Sequence, residues 1–254
     1  MESKSQSRFD LITDLTENQP KRFFISSNMR KPVSIEKVDI VGLRNTKYNN
    51  DVIVITHSKL KESAKKYKDY REANSNLSVG IFDVKDIYNE YNAGTMDITA
   101  IRDFIAQAMI NWDVKPSYVL LWGDGHYDYR EILTTQTNFI PPHLSEDQFN
   151  NFEGVKCICT DDFYVRVVGN DKALDLAIGR ITINSEQEGN TIVEKIKHYE
   201  NNSSIDNWRN KITLVADDGF SGNESTSGDG SLFVDHSEDF SNNRVPGFME
   251  QRKI

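Results

Sequence analysis

SYVLLWGDGHYDYR, residues Ser117 to Arg130, is the stretch whose reading decides the fold. Tyr118 to Trp122 is an unbroken apolar run, too short for an ordinary helix and made of residues that suit a pleated surface buried on both faces, so it predicts a central strand. The strand stops at Gly123-Asp124-Gly125, where two glycines let the backbone turn sharply and leave Asp124, His126 and Asp128 at its carboxyl end. In open α/β sheets that edge is where ligands and chemistry gather. The same triplet also describes a tight, solvated turn, and the surrounding chain has to decide between the two.

Upstream, Val52 to Thr56 is a compact β-branched strand, with Ser58 as N-cap of a helix carrying Leu60, Ala64, Tyr67 and Tyr70 on one side and lysines on the other. Leu77 to Val84 predicts a second strand, and Asp97 caps a helix in which Ile98, Ile101, Ile105, Ala108 and Met109 recur at helical spacing. Strands alternating with helices in this way predict a parallel sheet with right-handed crossovers. Met1 to Asn50 is polar with short apolar patches and is assigned as an extension, the tail of a preceding region.

Downstream, Glu131 to Lys172 is a long loop-rich insert, of the kind that is usually functional or mobile. It ends with Asp161-Asp162 and a strand-like FYVRVV, after which Leu174 to Ile178 leads into Gly179-Arg180. Arg180, following a strand, is expected to make a buried ion pair that holds the insert to the sheet. Ser185 and Glu188 form a capping box for a helix with Ile192, Val193, Ile196 and Tyr199 inward, and Asn201 to Asp206 is a polar linker. Ile212 to Ala216 is a further strand ending in Asp217-Asp218-Gly219, followed by a Gly/Ser/Asn-rich loop and a helix over Ser231 to Asn243, with no later strand expected. The resulting division is an extension over 1–50, a first α/β subdomain over 51–203 and the start of a second, incomplete one over 204–254.

A chain of 254 residues with 37% hydrophobic and 27% charged residues is long enough for one large core or two modest ones. Its net charge of −9 argues against nucleic acid or an anionic membrane as partner, since phosphate binding needs clustered Lys and Arg. No window approaches the roughly 18 apolar residues of a membrane span, and Met1 to Arg22 has no apolar core like that of a signal peptide. Cys157 and Cys159 are one residue apart, which disfavours a disulfide between them and suits one face of a short strand. His57, His198 and His236 are expected to bind backbone, sit on a charged helix face and cap or pack at the start of a helix, whereas His126 is placed to act as a metal ligand or base. The loop carboxylates Asp124, Asp128, Asp161 and Asp162 offer hard oxygen donors suited to calcium.

With these elements in order, IYNEYNAGTMDITAIRDFI (Ile87 to Ile105), YVLLWGDGHYDYR, TDDFY (Thr160 to Tyr164), LDLAIGRI (Leu174 to Ile181), EKIKHYE (Glu194 to Glu200) and WRNKITLVADDG (Trp208 to Gly219) resemble the gingipain family of cysteine peptidases. Within that family the resemblance is strongest to the sortase branch of the type IX secretion system. It implies a caspase-like α/β fold, a parallel sheet with a mixed edge and flanking helices, in two subdomains stabilised by calcium. It also implies a parent protein that is secreted or held at the outer-membrane surface. Its partners would be protein substrates, in the sortase branch the carboxyl-terminal sorting signals of secreted cargo.

The family's histidine lies in a Gly-His-Gly segment and its cysteine follows a later buried strand, so both are expected beyond residue 254. The one catalytic-type position the resemblance carries onto this chain is Asp218, with Asp217 as its alternative, as the acid that orients the histidine. Without that histidine, Asp218 also reads as an Asx-type turn residue. The competing function is a non-catalytic α/β module that binds a cation or a protein partner. A metal-dependent hydrolase using Asp124 and Asp128 is a third.

Overall fold

The computed structural model describes residues 31–254 apart from 33, 36, 134, 145–158, 202–206, 218–219, 222–223 and 226–230. Residues before Val41 form a separate unit, whose described part, within 31–40, is exposed and without regular structure. The remainder is built on a four-stranded sheet in the order β2-β1-β3-β6. Its strands are β1 (Val52–Thr56), β2 (Val79–Asp83), β3 (Tyr118–Trp122) and β6 (Ala177–Ile181), and every pairing is parallel. β1 is buried at all five positions, as expected for a strand with neighbours on both sides and helices above and below.

The helices are α1 (Lys61–Ser75), α2 (Val84–Tyr91), α3 (Ile98–Asn111), α4 (Glu186–Asn201) and α5 (Leu232–Asn243). Asp97 accepts a hydrogen bond from Thr99 N–H at 2.8 Å and caps α3, whose Ile101, Phe104, Ile105 and Ala108 are buried. α1 lies beside α4, and α2 packs on α3. At the crossing of α1 and α4, the Glu186 carboxylate accepts from Glu62 N–H at 2.9 Å and Ser63 N–H at 2.7 Å, so donors in the first turn of α1 are satisfied from another helix.

Several elements differ from the sequence expectation. The core begins before Asp51: Leu43 is buried, Tyr48 packs edge-on against Phe82 at 5.1 Å, and Glu90 accepts from Gly42 N–H at 2.7 Å. The last ten residues of the expected 1–50 extension therefore belong to the compact unit that starts at Val41. β2 runs straight into α2 because Asp83 accepts from Lys85 N–H at 2.9 Å, and Val84, Ile87 and Tyr88 face the core. The first helical turn after β1 is capped by the His57 ring, not by Ser58.

FYVRVV is not a strand. Asp162–Val165 is a 3-10 turn, and the Asp175 carboxylate takes the Val167 and Val168 N–H groups at 2.7 and 2.8 Å that a sheet would otherwise use. Two short antiparallel pairs stand apart from the main sheet: β4 (His143–Leu144) with β5 (Cys159–Thr160), and β8 (Phe220–Ser221) with β9 (Glu224–Ser225). β7 (Lys211–Leu214) pairs in parallel with β10 (Glu250–Lys253), a strand the sequence reading did not anticipate. All four residues of β10, EQRK, are polar and exposed, so no apolar alternation announces it.

Candidate functional site

The carboxyl rim of the main sheet is assembled around the turn after β3. Asp124 N–H donates to Ile183 O and Ile140 N–H donates to Asp124 O, both at 3.0 Å, so the chain leaving β3 is tied to the end of β6 and to its own return at Ile140. Gly125 is required there by close approach: a Cβ at this position would lie 2.9 Å from the Ile140 carbonyl carbon and closer still to its oxygen. Asn138 then closes the loop in both directions, its Oδ1 accepting from His126 N–H at 3.2 Å and its Nδ2 donating to His126 O at 2.9 Å. The sequence reading did not single out Asn138, because a pairing across twelve residues of loop leaves no local periodicity.

Arg180 fastens this rim from β6. Its Nε and Nη2 donate to Asp161 at 2.8 and 2.7 Å, and its Nη1 donates to Gly123 O at 3.0 Å and Ile140 O at 2.7 Å. The guanidinium side chain is 11% exposed and the Asp161 side chain 22%. This is the expected ion pair that binds the insert to the sheet, and it also holds the β3 turn. Tyr164, buried beneath, donates its hydroxyl to Pro141 O, and burial pushes its phenol well above the usual tyrosine range.

The four carboxylates expected to hold calcium are not brought together as a cage. Asp161 faces Arg180, and Asp162 faces Arg166 at 3.1 Å. Asp128 accepts from Leu133 N–H at 2.5 Å, while Asp124 accepts from Gly125 N–H at 2.9 Å and Asn184 Nδ2 at 3.1 Å. A guanidinium already occupying the Asp161 oxygens opposes a cation there, and no three His, Cys, Asp or Glu side chains group as metal ligands among the described residues. This donor set does not fit calcium, and no chemistry is derived through it.

The histidines divide similarly. His57, buried at the end of β1, accepts from Lys59 N–H through Nδ1 at 3.1 Å. Burial, reinforced by Lys85, holds its pKa below the ordinary histidine value. His126 has Nε2 3.1 Å from Gln136 O and a buried Nδ1 with no partner among the described residues. His143, which the sequence reading passed over, stacks on Phe163 at 4.3 Å. Burial and then Arg166 lower its pKa too.

Among the described residues, no thiol–imidazole dyad arises from this arrangement. His143 is paired with Thr160 and Leu144 with Cys159, so the imidazole and the exposed Cys159 thiol leave opposite faces of the hairpin. Cys157 lies outside the described residues. Of the two candidate orienting acids, Asp217 is exposed just beyond β7, where Ala216 N–H continues the ladder to Ile254 O at 3.2 Å; Asp218 lies outside the described residues.

Residues 45–254 match the model of peptidase family C25. The chain belongs to that family. Gingipain R2 of Porphyromonas gingivalis is 27% identical over 171 residues, covering 67% of this C25 chain and 19% of the relative. Gingipain R1 of the same species gives the same identity and covers 14% of its own length. This chain thus spans about a fifth or less of the length of those curated relatives. Among solved structures, the Arg-specific cysteine proteinase gingipain R (RGPB) superposes with a TM-score of 0.58 at 24% identity, over 81% of this chain and 41% of that one. Dimeric latent PorU from Porphyromonas gingivalis gives 0.54 at 24%, over 63% and 16%. These superpositions support the caspase-like α/β fold of the C25 chain.

Proposed function

We propose that this chain is the scaffold part of a cysteine peptidase that processes secreted proteins, with carboxyl-terminal sorting signals of type IX secretion cargo as the substrate class and the cell surface as its place of action. The observation that carries the reading is the family match over residues 45–254, joined to a βαβ unit, β7-α5-β10, whose first strand, Lys211–Leu214, precedes Asp217-Asp218 in sequence. A thiolate attacks a peptide carbonyl only when a base takes or shares its proton, and a carboxylate behind the histidine fixes the ring's tautomer and orientation. Asp218, or Asp217 beside it, is assigned that orienting role. The histidine and the cysteine are assigned to residues following Ile254, in a Gly-His-Gly segment and after a later buried strand.

The test is mass-spectrometric mapping of a thiol-directed peptidase inhibitor on the 254-residue chain and on the product of a gene extended past Ile254. The extended product should be labelled stoichiometrically at a downstream cysteine, and Asp218→Asn there should slow labelling by roughly the loss seen when an orienting acid is removed, about 10⁴-fold at most. The shorter chain should show only ordinary thiol reactivity at Cys157 and Cys159. Stoichiometric, His126-dependent labelling of either of these would place the dyad inside this chain and overturn the assignment.

A further inference from the structure

β1 ends at Thr56, and the next residue opens the turn that leads into α1. His57 is extended (φ −100°, ψ 149°), buried, and the N-cap of the 3-10 turn Ser58–Leu60. It satisfies two donors of that turn: its carbonyl accepts from Leu60 N–H at 2.8 Å and its ring Nδ1 from Lys59 N–H at 3.1 Å. A backbone N–H only donates, so Nδ1 carries a lone pair and the ring proton sits on Nε2. Unlike the Ser, Thr or Asn that usually cap a helix, this acceptor is lost when the side chain gains a proton. The same ring stands edge-on to Phe139, with centroids 5.5 Å apart. Phe139 lies between Asn138, which closes the His126 loop, and Ile140, whose N–H donates to Asp124 O. A Cβ at Gly123 would lie 3.0 Å from Phe139 Cβ and 3.3 Å from Leu60 Cδ1, so the helix start and the returning loop also close on each other over the β3 turn.

We infer that His57 is a pH-operated latch on the carboxyl rim: the neutral ring fastens the start of α1 to the 138–140 return, and its protonation releases both while the sheet stays folded. The imidazolium has an N–H at each ring nitrogen, so turning the ring over restores no acceptor, and Nδ1–H faces Lys59 N–H donor to donor. Charged groups reach the ring from each element around it. Lys59 of its own turn and Lys85 at the start of α2 oppose the added charge, while Asp83 at the end of β2 and Glu131 in the insert favour it. Each nearby carboxylate is already engaged. Asp83 accepts from Lys85 N–H at 2.9 Å, Glu131 from Asn138 N–H at 2.8 Å, and Glu186, reaching the helix start from α4, from Glu62 and Ser63 N–H. The charged ring consequently gains more from water than from its place in the cap, and leaves it. The release is local, because β1 is held by ladders to β2 and β3 that do not involve the ring.

Nuclear magnetic resonance of the full chain tests this, with the ring nitrogens of His57 and the backbone amides followed together as pH is lowered. Above the midpoint the ring should show the Nε2–H tautomer, and the midpoint should fall below the ordinary 6.5. At that midpoint the exchange protection of the Lys59 amide, corrected for the intrinsic pH dependence, should drop about fivefold or more, the equilibrium change expected for loss of a cap. Protection of Ile140 should drop with it, and that of the β1 amides should not. His57→Asn keeps a capping oxygen that does not titrate, so Lys59 and Ile140 should stay protected across the same range. His57→Ala should show the released pattern at every pH. A ring that titrates in the folded chain without moving Lys59 or Ile140 overturns the proposal, as does a ring protonated on Nδ1 at neutral pH. Loss of β1 protection in step with the other two overturns it equally, since the proton then acts on global stability alone, and so does the same fall in His57→Asn, which assigns the effect to another group.

Discussion

Replacing Arg180 by methionine removes a cation that makes four hydrogen bonds, two to Asp161 and one each to Gly123 O and Ile140 O. Deleting one member of a buried ion pair costs about 3–5 kcal/mol, because the other charge is left without compensation. Asp161 keeps 22% of its side-chain surface in solvent and recovers part of its hydration, so the low end applies, about 3 kcal/mol. For a domain of this size, that corresponds to a fall in Tm of roughly 6–12 °C. Equilibrium urea denaturation followed by the fluorescence of buried Trp122 measures it.

The loss should have a local signature, since the methionine no longer holds the return at Ile140. Exchange of the Ile140 amide, which donates to Asp124 O at 3.0 Å, should accelerate more than that of the β1 amides. Combining Arg180→Met with Asp161→Leu should recover much of the stability, because an apolar pair of similar volume leaves no buried charge. A single variant within about 1 kcal/mol of wild type would equate this contact with an ordinary surface ion pair. A double variant as unstable as the sum of the singles would show that the pair is not coupled. Either result refutes the reasoning.

Gly189→Ala in α4 gains helix propensity of about 1 kcal/mol, yet the new Cβ would lie 2.6 Å from Ser63 Cβ and closer to its Oγ, which accepts from Trp122 Nε1 at 3.0 Å. Overpacking at about 1–3 kcal/mol outweighs the gain, so urea denaturation should show a net loss of about 1 kcal/mol and a shifted Trp122 emission. His57 supplies a pH dependence. Its folded pKa lies below the ordinary value of 6.5, chiefly through burial and then Lys85, with Asp83 opposing; the unfolded chain binds the proton first as pH falls. The contribution is complete above the unfolded value and is lost as pH drops through the folded one, and His57→Asn should flatten the fall in urea midpoint as pH drops below the ordinary histidine value of 6.5. An unchanged slope in that variant would remove His57 as its source.

Sequence alone determined the elements whose evidence is local. β1 and β3 were legible because a strand buried on both faces is a short run of β-branched and aromatic residues, and α3 because Asp97 precedes Ile101, Ile105 and Ala108 at helical spacing. The ordered motifs from Ile87 to Gly219 likewise pointed to the family that the match over residues 45–254 established. The expected ion pair of Arg180 also held, since a cation after a strand within an α/β layer needs a buried partner. Which carboxylate would meet it was settled only by the fold, through Asp161, nineteen residues away.

Tertiary structure alone decided the elements with no periodic signature. β10 forms from the polar EQRK because β7 offers it a parallel ladder, and FYVRVV fails to become a strand because Asp175 takes its donors. The same holds for the carboxylates. As a list, Asp124, Asp128, Asp161 and Asp162 suggested a calcium site; in space their oxygens face a guanidinium, backbone amides and Asn184. Residue type and spacing specify which groups are able to bind a cation, but the partner each one takes, for Asp161 the guanidinium of Arg180 nineteen residues on, is set by contacts in the folded chain.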